Sequence, residues 1–152
     1  MKRRTAIASL IAAGLALTAL LAVPAFSGLS DSPLFASPRG QNEIPDADPD
    51  GRGGFTAIVD GNQFCYGLTA TNIDPPFAAH IHRGNAGENG PVVITLSPPA
   101  PGDPGASSDC VTPDNPAILD EILRRPAQFY VNVHTPAFPG GAIRDQLRRH
   151  PR

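Results

Sequence analysis

Short stretches in which apolar and polar residues alternate recur along most of the chain, and turn-forming residues separate them. Residues 54–60 place apolar side chains at every second position, and residues 63–70 repeat the alternation after an Asp60-Gly61 pair. A period of two is typical of a strand with one buried face, and Asp-Gly is a frequent two-residue hairpin turn. This part of the chain therefore predicts a β-hairpin.

Five further strands are predicted from the same pattern. They cover residues 34–36, 77–83, 92–96, 128–134 and 141–147, the first being the weakest. Residues 97–115 contain five prolines and are too polar for a core strand, so we expect a long surface loop there.

One short helix of roughly ten residues is expected before Pro126. Asp114 or Asn115 can cap it, and Pro116 suits its first turn. Its apolar stripe consists of Ile118, Leu119, Ile122 and Leu123. Seven short strands with one connecting helix in about 120 residues predict an all-β fold, a Greek-key β-sandwich.

The N-terminal segment has the pattern of a signal peptide at residues 1–25. Lys2, Arg3 and Arg4 precede an apolar run, and small residues follow at Val23-Pro24-Ala25. An uncleaved membrane anchor is the alternative, and either reading predicts a secreted or extracytoplasmic domain, in the periplasm or at the cell surface. Residues 26–33 then form a linker, residues 34–148 the domain, and residues 149–152 a basic tail.

Charge argues against nucleic acid as a partner. Without residues 1–25 the chain has nine arginines, no lysine and fourteen acidic residues, a net charge of −5. The arginines near the C-terminus are too few for a phosphate-binding patch. Contact with a membrane is expected only through an uncleaved N-terminal segment.

The two cysteines, Cys65 and Cys110, both lie in the predicted domain. An even number in an exported chain most simply forms a disulfide bond. The alternative is that Cys65 binds a metal as a thiolate.

Three histidines carry the strongest functional signal. His80 and His82 lie two residues apart in one predicted strand, and His134 ends another. Ile81, Val131 and Val133 suit the core, so the three imidazoles are expected on the outer face, where neighbouring strands would bring them together on a surface shelf. The polar loops at residues 84–90 and 135–141 could wall that shelf. Three neutral imidazoles favour copper or zinc over calcium or magnesium. Glu88 or water could supply a fourth ligand, and the alternative is that these histidines bind no metal.

Other motifs give weaker signals. Asp46, Asp48 and Asp50 imitate the start of a calcium loop, but position twelve is Ala57, so a solvated acidic turn is favoured. Glycines at positions 84, 87 and 90 precede a strand and are explained by turns. No nucleophile with a base is evident, so no catalytic residue and no organic cofactor is predicted.

Several motifs together resemble the CHRD domain, named after chordin. They are Gln41-Asn42-Glu43-Ile44-Pro45, Ala79-His80-Ile81-His82-Arg83-Gly84, Gly90-Pro91-Val92-Val93, Tyr130-Val131-Asn132-Val133-His134-Thr135 and Phe138-Pro139-Gly140-Gly141-Ala142-Ile143-Arg144. Ala142 stands where the family often has Glu, and Asp145 where Gly is common. The resemblance implies a secreted β domain like those of small exported bacterial proteins, without an accepted reaction; the animal relative is an extracellular antagonist of growth factors.

Three hypotheses follow for function. The first is a non-enzymatic exported binding domain with a copper or zinc site formed by His80, His82 and His134. The second is a redox enzyme, because a His-x-His pair on a β-sandwich is similar to the copper site of copper-zinc superoxide dismutases. The third is a structural or adhesive module that recognises an extracellular protein or glycan through exposed residues such as Phe77 or Phe138.

Overall fold

The computed structural model describes residues 32–149, and all structural statements below refer to them. The predicted signal peptide and most of the predicted linker lie outside the described residues. Within them, no helix is long and apolar enough to cross a membrane.

Nine strands and one α-helix form the described part of the chain. In chain order they are β1 (Leu34–Ala36), β2 (Arg52–Asp60), β3 (Gln63–Thr71), β4 (Ala78–Arg83), β5 (Val92–Leu96), β6 (Gly105–Val111), α1 (Ala117–Arg124), β7 (Phe129–His134), β8 (Ile143–Gln146) and β9 (Arg148–Arg149). Short 3-10 helices occupy Gly40–Asn42 and Pro126–Gln128.

The strands form two antiparallel sheets. One has the order β6-β3-β2-β1-β9 and the other the order β5-β4-β7-β8. Strands β4 and β5 pair in one sheet, and the chain then returns to the other sheet, where β6 pairs with β3. This connection is that of a Greek key. The predicted β-sandwich is confirmed.

The core lies between the sheets. Phe55, Phe64 and Leu68 of the five-stranded sheet face Ile81 and Val131 of the four-stranded sheet, and all five are at most 2 % exposed. Removing this apolar surface from water is the main stabilising contribution to the fold.

The helix follows the prediction in position and in its buried face. It is eight residues long and buries Ile118, Leu119, Ile122 and Leu123. Asn115 Oδ1 accepts a hydrogen bond from the Ala117 N–H at 3.2 Å, and the helix ends two residues before Pro126.

The expected surface loop at residues 97–115 was wrong in part, because it contains β6. This strand pairs with β3 over seven residues, from Gly105 opposite Ala70 to Val111 opposite Phe64. It is an edge strand with mostly exposed side chains, so backbone hydrogen bonds hold it in place and an apolar face is not required. The sheet also continues through Arg149, since β9 pairs with β1 where the sequence placed the start of a basic tail.

A disulfide bond joins Cys65 and Cys110, with an S–S distance of 2.07 Å. The two residues are direct partners on β3 and β6. The bond therefore fastens the edge strand to the sheet, and it excludes Cys65 as a metal thiolate.

Candidate metal centre

The three histidines come from two paired strands. The register of β4 and β7 sets Ala78 opposite His134, His80 opposite Asn132, and His82 opposite Tyr130. Ile81 and Val131 between them are fully buried in the core. As predicted, His80, His82 and His134 therefore share the outer face of the four-stranded sheet.

Ligand atoms of these three residues all lie within 4.8 Å of one another. His80 Nδ1 lies 3.0 Å from His134 Nε2, and the rings of His80 and His82 have centroids 5.5 Å apart. Nitrogen ligands around a tetrahedral metal ion, each bonded at about 2.0 Å, are about 3.3 Å apart. Small side-chain rotations would thus bring one nitrogen from each histidine around a single ion.

Backbone carbonyls fix the ring protons of two of the histidines. His82 Nδ1 lies 2.8 Å from the Gly90 oxygen, and His134 Nδ1 lies 3.0 Å from the Pro139 oxygen. A carbonyl oxygen only accepts, so in both rings Nδ1 carries the proton and donates it. In the neutral state each ring then presents the lone pair of Nε2, the form that binds metals.

His82 Nε2 is buried and makes no hydrogen bond of normal geometry in the described structure, although the Asn132 side chain lies near enough to act on its pKa. A buried polar atom without a partner costs free energy, so such atoms call for an explanation. A metal ion held between the three imidazoles would supply the partner. The donor set and the orphaned nitrogen therefore fit copper or zinc.

Asn132 offers a further possible metal ligand beside the three histidines. Its Oδ1 lies 3.1 Å from His134 Nε2, and the residue is only 2 % exposed. Glu88, considered as a fourth ligand from the sequence, belongs to no metal-binding group of the described residues, and its carboxylate accepts hydrogen bonds from Asn85 instead. The sequence placed Asn132 on the correct face without giving it a role.

The site is a recess, deeper than the expected surface shelf, and the two loops that were expected to wall it contact the histidines. His82 is 9 % and His134 8 % exposed, because the loops at residues 84–91 and 135–142 fold over the outer face. Burial lowers the pKa of both residues. Burial, with the nearby His134 and His82, lowers the pKa of His80 to about 4. All three histidines are consequently neutral at neutral pH, as metal binding requires.

The side chains of Tyr130 and Arg144 stack beside His82, under the loop at residues 84–91. The His82 ring lies parallel to the Tyr130 ring at 4.8 Å, and the Arg144 guanidinium carbon lies 3.9 Å from the centroid of that ring. The Tyr130 hydroxyl accepts a hydrogen bond from the Gly90 N–H at 3.2 Å. Arg144 also donates hydrogen bonds to Asn89 Oδ1 and to the backbone carbonyl oxygen of Glu88, both at 2.8 Å. The stack thereby connects the histidine to the loop that orients it.

Two buried charged residues near the site were missed in the sequence. Arg144 is 2 % exposed, and Glu43 is 5 % exposed with an Oε1 that has no hydrogen-bond partner. Burial raises the pKa of Glu43 to about 7, although the positive charge of Arg144 opposes this. The Glu43 carboxyl packs over Gly141, where a side chain would overlap it. The only available signal was their place in the family motifs.

The weaker sequence motifs take structural roles. Asp48 is buried, and not solvated as expected, and its Oδ1 accepts a hydrogen bond from the Gly51 N–H at 2.9 Å. Neither it nor Asp46 nor Asp50 belongs to a metal-binding group of the described residues. Gly87 has a φ of +85°, and a side chain at Gly90 would overlap the Arg83 carbonyl. These glycines serve the loop, as predicted.

Comparison with known proteins gives one match. The profile of the CHRD domain matches residues 34–147, three quarters of the chain and nearly all of its described part. No curated protein and no solved structure matches the chain. The sequence motifs and this match agree, and the chain belongs to the CHRD domain family.

Proposed function

We propose that this chain is an exported, non-enzymatic binding domain that holds one copper or zinc ion through His80, His82 and His134. The observation that carries the proposal is the orphaned Nε2 of His82, which lies beside two further imidazoles whose nitrogens are within bonding reach of one ion. Nitrogen donors suit copper and zinc, whereas calcium and magnesium prefer oxygen.

The chain's own residues would hold such an ion in a fixed geometry. Gly90 and Pro139 orient two rings through their carbonyl oxygens, and Tyr130 stacks on His82. Second contacts of this kind fix the tautomer and raise the basicity of a ligand. Asn132 would stand as the fourth donor or hydrogen-bond a water in that position.

Export is supported by three features. The first 25 residues have the composition of a signal peptide, the two cysteines form a disulfide bond, and the chain belongs to the CHRD family, a resemblance that implies a secreted domain. Disulfide bonds persist in oxidising compartments. Mass spectrometry of the exported protein would give the mature N-terminus, which we expect near residue 26.

The metal site is tested by titration of the purified mature protein with Cu(I) and Zn(II) against competing chelators. His134→Ala and His82→Ala should each weaken binding by about 100-fold or more, since loss of even a supporting contact costs 10- to 100-fold. Thr95→Ala is the matched control, because Thr95 is an exposed neighbour of His80 on the same sheet face. Equal, millimolar binding by all four proteins would refute the proposal.

A second candidate function rests on a different observation. Phe77 is 57 % exposed, and its ring centroid lies 6.2 Å from that of His134, so an apolar group stands at the edge of the recess. A domain of this kind could recognise an extracellular protein or glycan without metal. Absence of metal binding in the titration would favour it, and a superoxide assay on copper-loaded protein tests the remaining hypothesis of a redox enzyme.

A further inference from the structure

The donor set of the candidate site is electrically neutral. Its members are three imidazoles, and no carboxylate or thiolate of the described residues joins the group. The neighbouring Asn132 is also uncharged. An ion bound here would therefore keep its full charge inside a recess that is largely closed to water, where desolvation is more costly for two charges than for one.

A buried positive charge lies close to this recess. His80, Asn132 and Arg144 form one row across β4, β7 and β8. Two strand spacings separate the ends of that row, about 10 Å between Cα atoms. The guanidinium lies over the ring of Tyr130, which also stacks with the ring of His82. Among the residues of β4, β7 and β8 on this face, Arg144 is thus the one with a permanent charge.

This charge is only partly compensated. The two ion pairs of the described residues are Arg83 with Glu121 and Arg148 with Asp145, so Arg144 belongs to neither. Its hydrogen bonds go to an amide oxygen and a backbone carbonyl. Glu43 is the acid that its field reaches, and burial raises the pKa of that carboxyl to about 7, so that much of it is uncharged at neutral pH.

We infer, on the basis of the proposed function, that the site binds monovalent copper in preference to zinc, and that Arg144 determines this specificity. Three nitrogen donors satisfy Cu(I), which carries one charge, whereas Zn(II) brings a second charge into the field of Arg144 and would have to take its fourth ligand from the neutral Asn132 or a water. If the backbone separation of about 10 Å is taken as the scale of the distance between charges, one additional unit charge at an effective dielectric constant of about 20 lowers affinity by on the order of tenfold.

The test measures Cu(I) affinity anaerobically against bathocuproine disulfonate, and Zn(II) affinity against a chromophoric chelator, in four proteins. Arg144→Gln removes the charge. Asn89→Asp places a carboxylate next to the Arg144 guanidinium, because Asn89 Oδ1 accepts a hydrogen bond from it. Asn89 is exposed on the loop, so this variant leaves the buried Arg144 unchanged. Asn62→Asp is the matched control, because it adds the same charge at the exposed β2–β3 turn of the other sheet.

The parent is expected to bind Cu(I) at least tenfold more tightly than Zn(II). Both Arg144→Gln and Asn89→Asp should shift the ratio of the two affinities toward zinc by about tenfold, with no shift in Asn62→Asp. Zinc binding as tight as copper binding in the parent, or an unchanged ratio in Asn89→Asp, would overturn the inference and leave the metal site standing. Millimolar binding of both ions by the parent would remove the proposed function as well.

Discussion

Individual side chains at the histidine cluster are held in one protonation state by their neighbours. The Gly90 carbonyl accepts a hydrogen bond from Nδ1–H of His82, and the Pro139 carbonyl accepts one from Nδ1–H of His134. In both rings Nε2 is therefore the nitrogen with a free lone pair. Burial then makes the charged form of each ring costly. The three rings are therefore held neutral in the folded chain, and protonating them lowers its stability.

The first residue-scale prediction concerns acid and the metal-free domain. The pKa of His80 is about 4 in the folded chain, below its ordinary value of 6.5, and burial lowers the pKa of His82 and His134 in the same direction. The unfolded chain therefore binds more protons between about pH 6.5 and pH 4. Stability is complete above about pH 6.5 and falls as the pH drops through this window.

Urea unfolding in the presence of a metal chelator measures this effect. The midpoint should be lower at about pH 5 than at about pH 7.5. His80→Gln, which removes one of the three groups, should show a smaller difference between the two conditions. Equal midpoints at both pH values in the parent would show that the rings are not held neutral by the fold.

Elements place the site through two strands and two loops. Strands β4 and β7 carry the imidazoles, and the loops at residues 84–91 and 135–142 cover them. Gly90 is central, because its N–H donates to Tyr130 and its oxygen accepts from His82. The loop conformation is thus coupled directly to the orientation of one ligand.

Substitution at Gly90 should reveal this coupling. A Cβ there would overlap the Arg83 carbonyl oxygen, so Gly90→Ala must displace backbone. We expect a loss of about 1 to 3 kcal/mol in unfolding free energy together with at least tenfold weaker metal binding.

Gly67→Ala provides the matched control, since a Cβ at that strand position would meet no atom within 4 Å. It should leave both quantities close to those of the parent. The role of the loop would be contradicted by unchanged metal affinity in a folded Gly90→Ala variant. Urea unfolding and metal titration on the same preparations give both readouts.

The spacing of apolar residues, together with turn-forming residues, predicted the strands and the helix that bury one face. Alternation was sufficient to predict β2 and β3, and the parity of Ile81 and Val131 was sufficient to place the three histidines on the outer face of β4 and β7. Strand β6 was missed because its stability comes from backbone pairing with β3, which leaves no apolar period in residues 105–111. The loops that wall the site were expected from the sequence, but the depth of the recess was not, since it depends on contacts such as those of Gly90 and Pro139 with the histidines. Arg144 and Glu43 gave no local signal, because a buried charge is defined by contacts distant in sequence.

At the scale of the whole molecule, the disulfide bond and the candidate metal site lie on different sheets. The disulfide joins β3 and β6 of the five-stranded sheet, whereas the histidines lie on the outer face of the other sheet. The crosslink closes a separation of 45 residues in the sequence. Its main effect is expected on the unfolded chain, with little influence on the geometry of the site.

Removal of the crosslink should therefore change stability without changing function. The Cys65→Ser, Cys110→Ser double variant is expected to lose about 4 kcal/mol of unfolding free energy, by the loop-entropy estimate for a separation of 45 residues. Its metal affinity at a temperature where it remains folded should stay within about threefold of the parent. A large loss of affinity in the folded variant would show that the two sheets are coupled more tightly than their separate faces imply.

X-ray absorption spectroscopy of the domain loaded with one equivalent of Cu(I) tests the central claim most directly, because it counts the imidazoles around the ion. The account predicts three imidazole nitrogens at about 2.0 Å, with one fewer in His134→Ala. A spectrum with no imidazole scattering, or one identical in the parent and in His134→Ala, would contradict it.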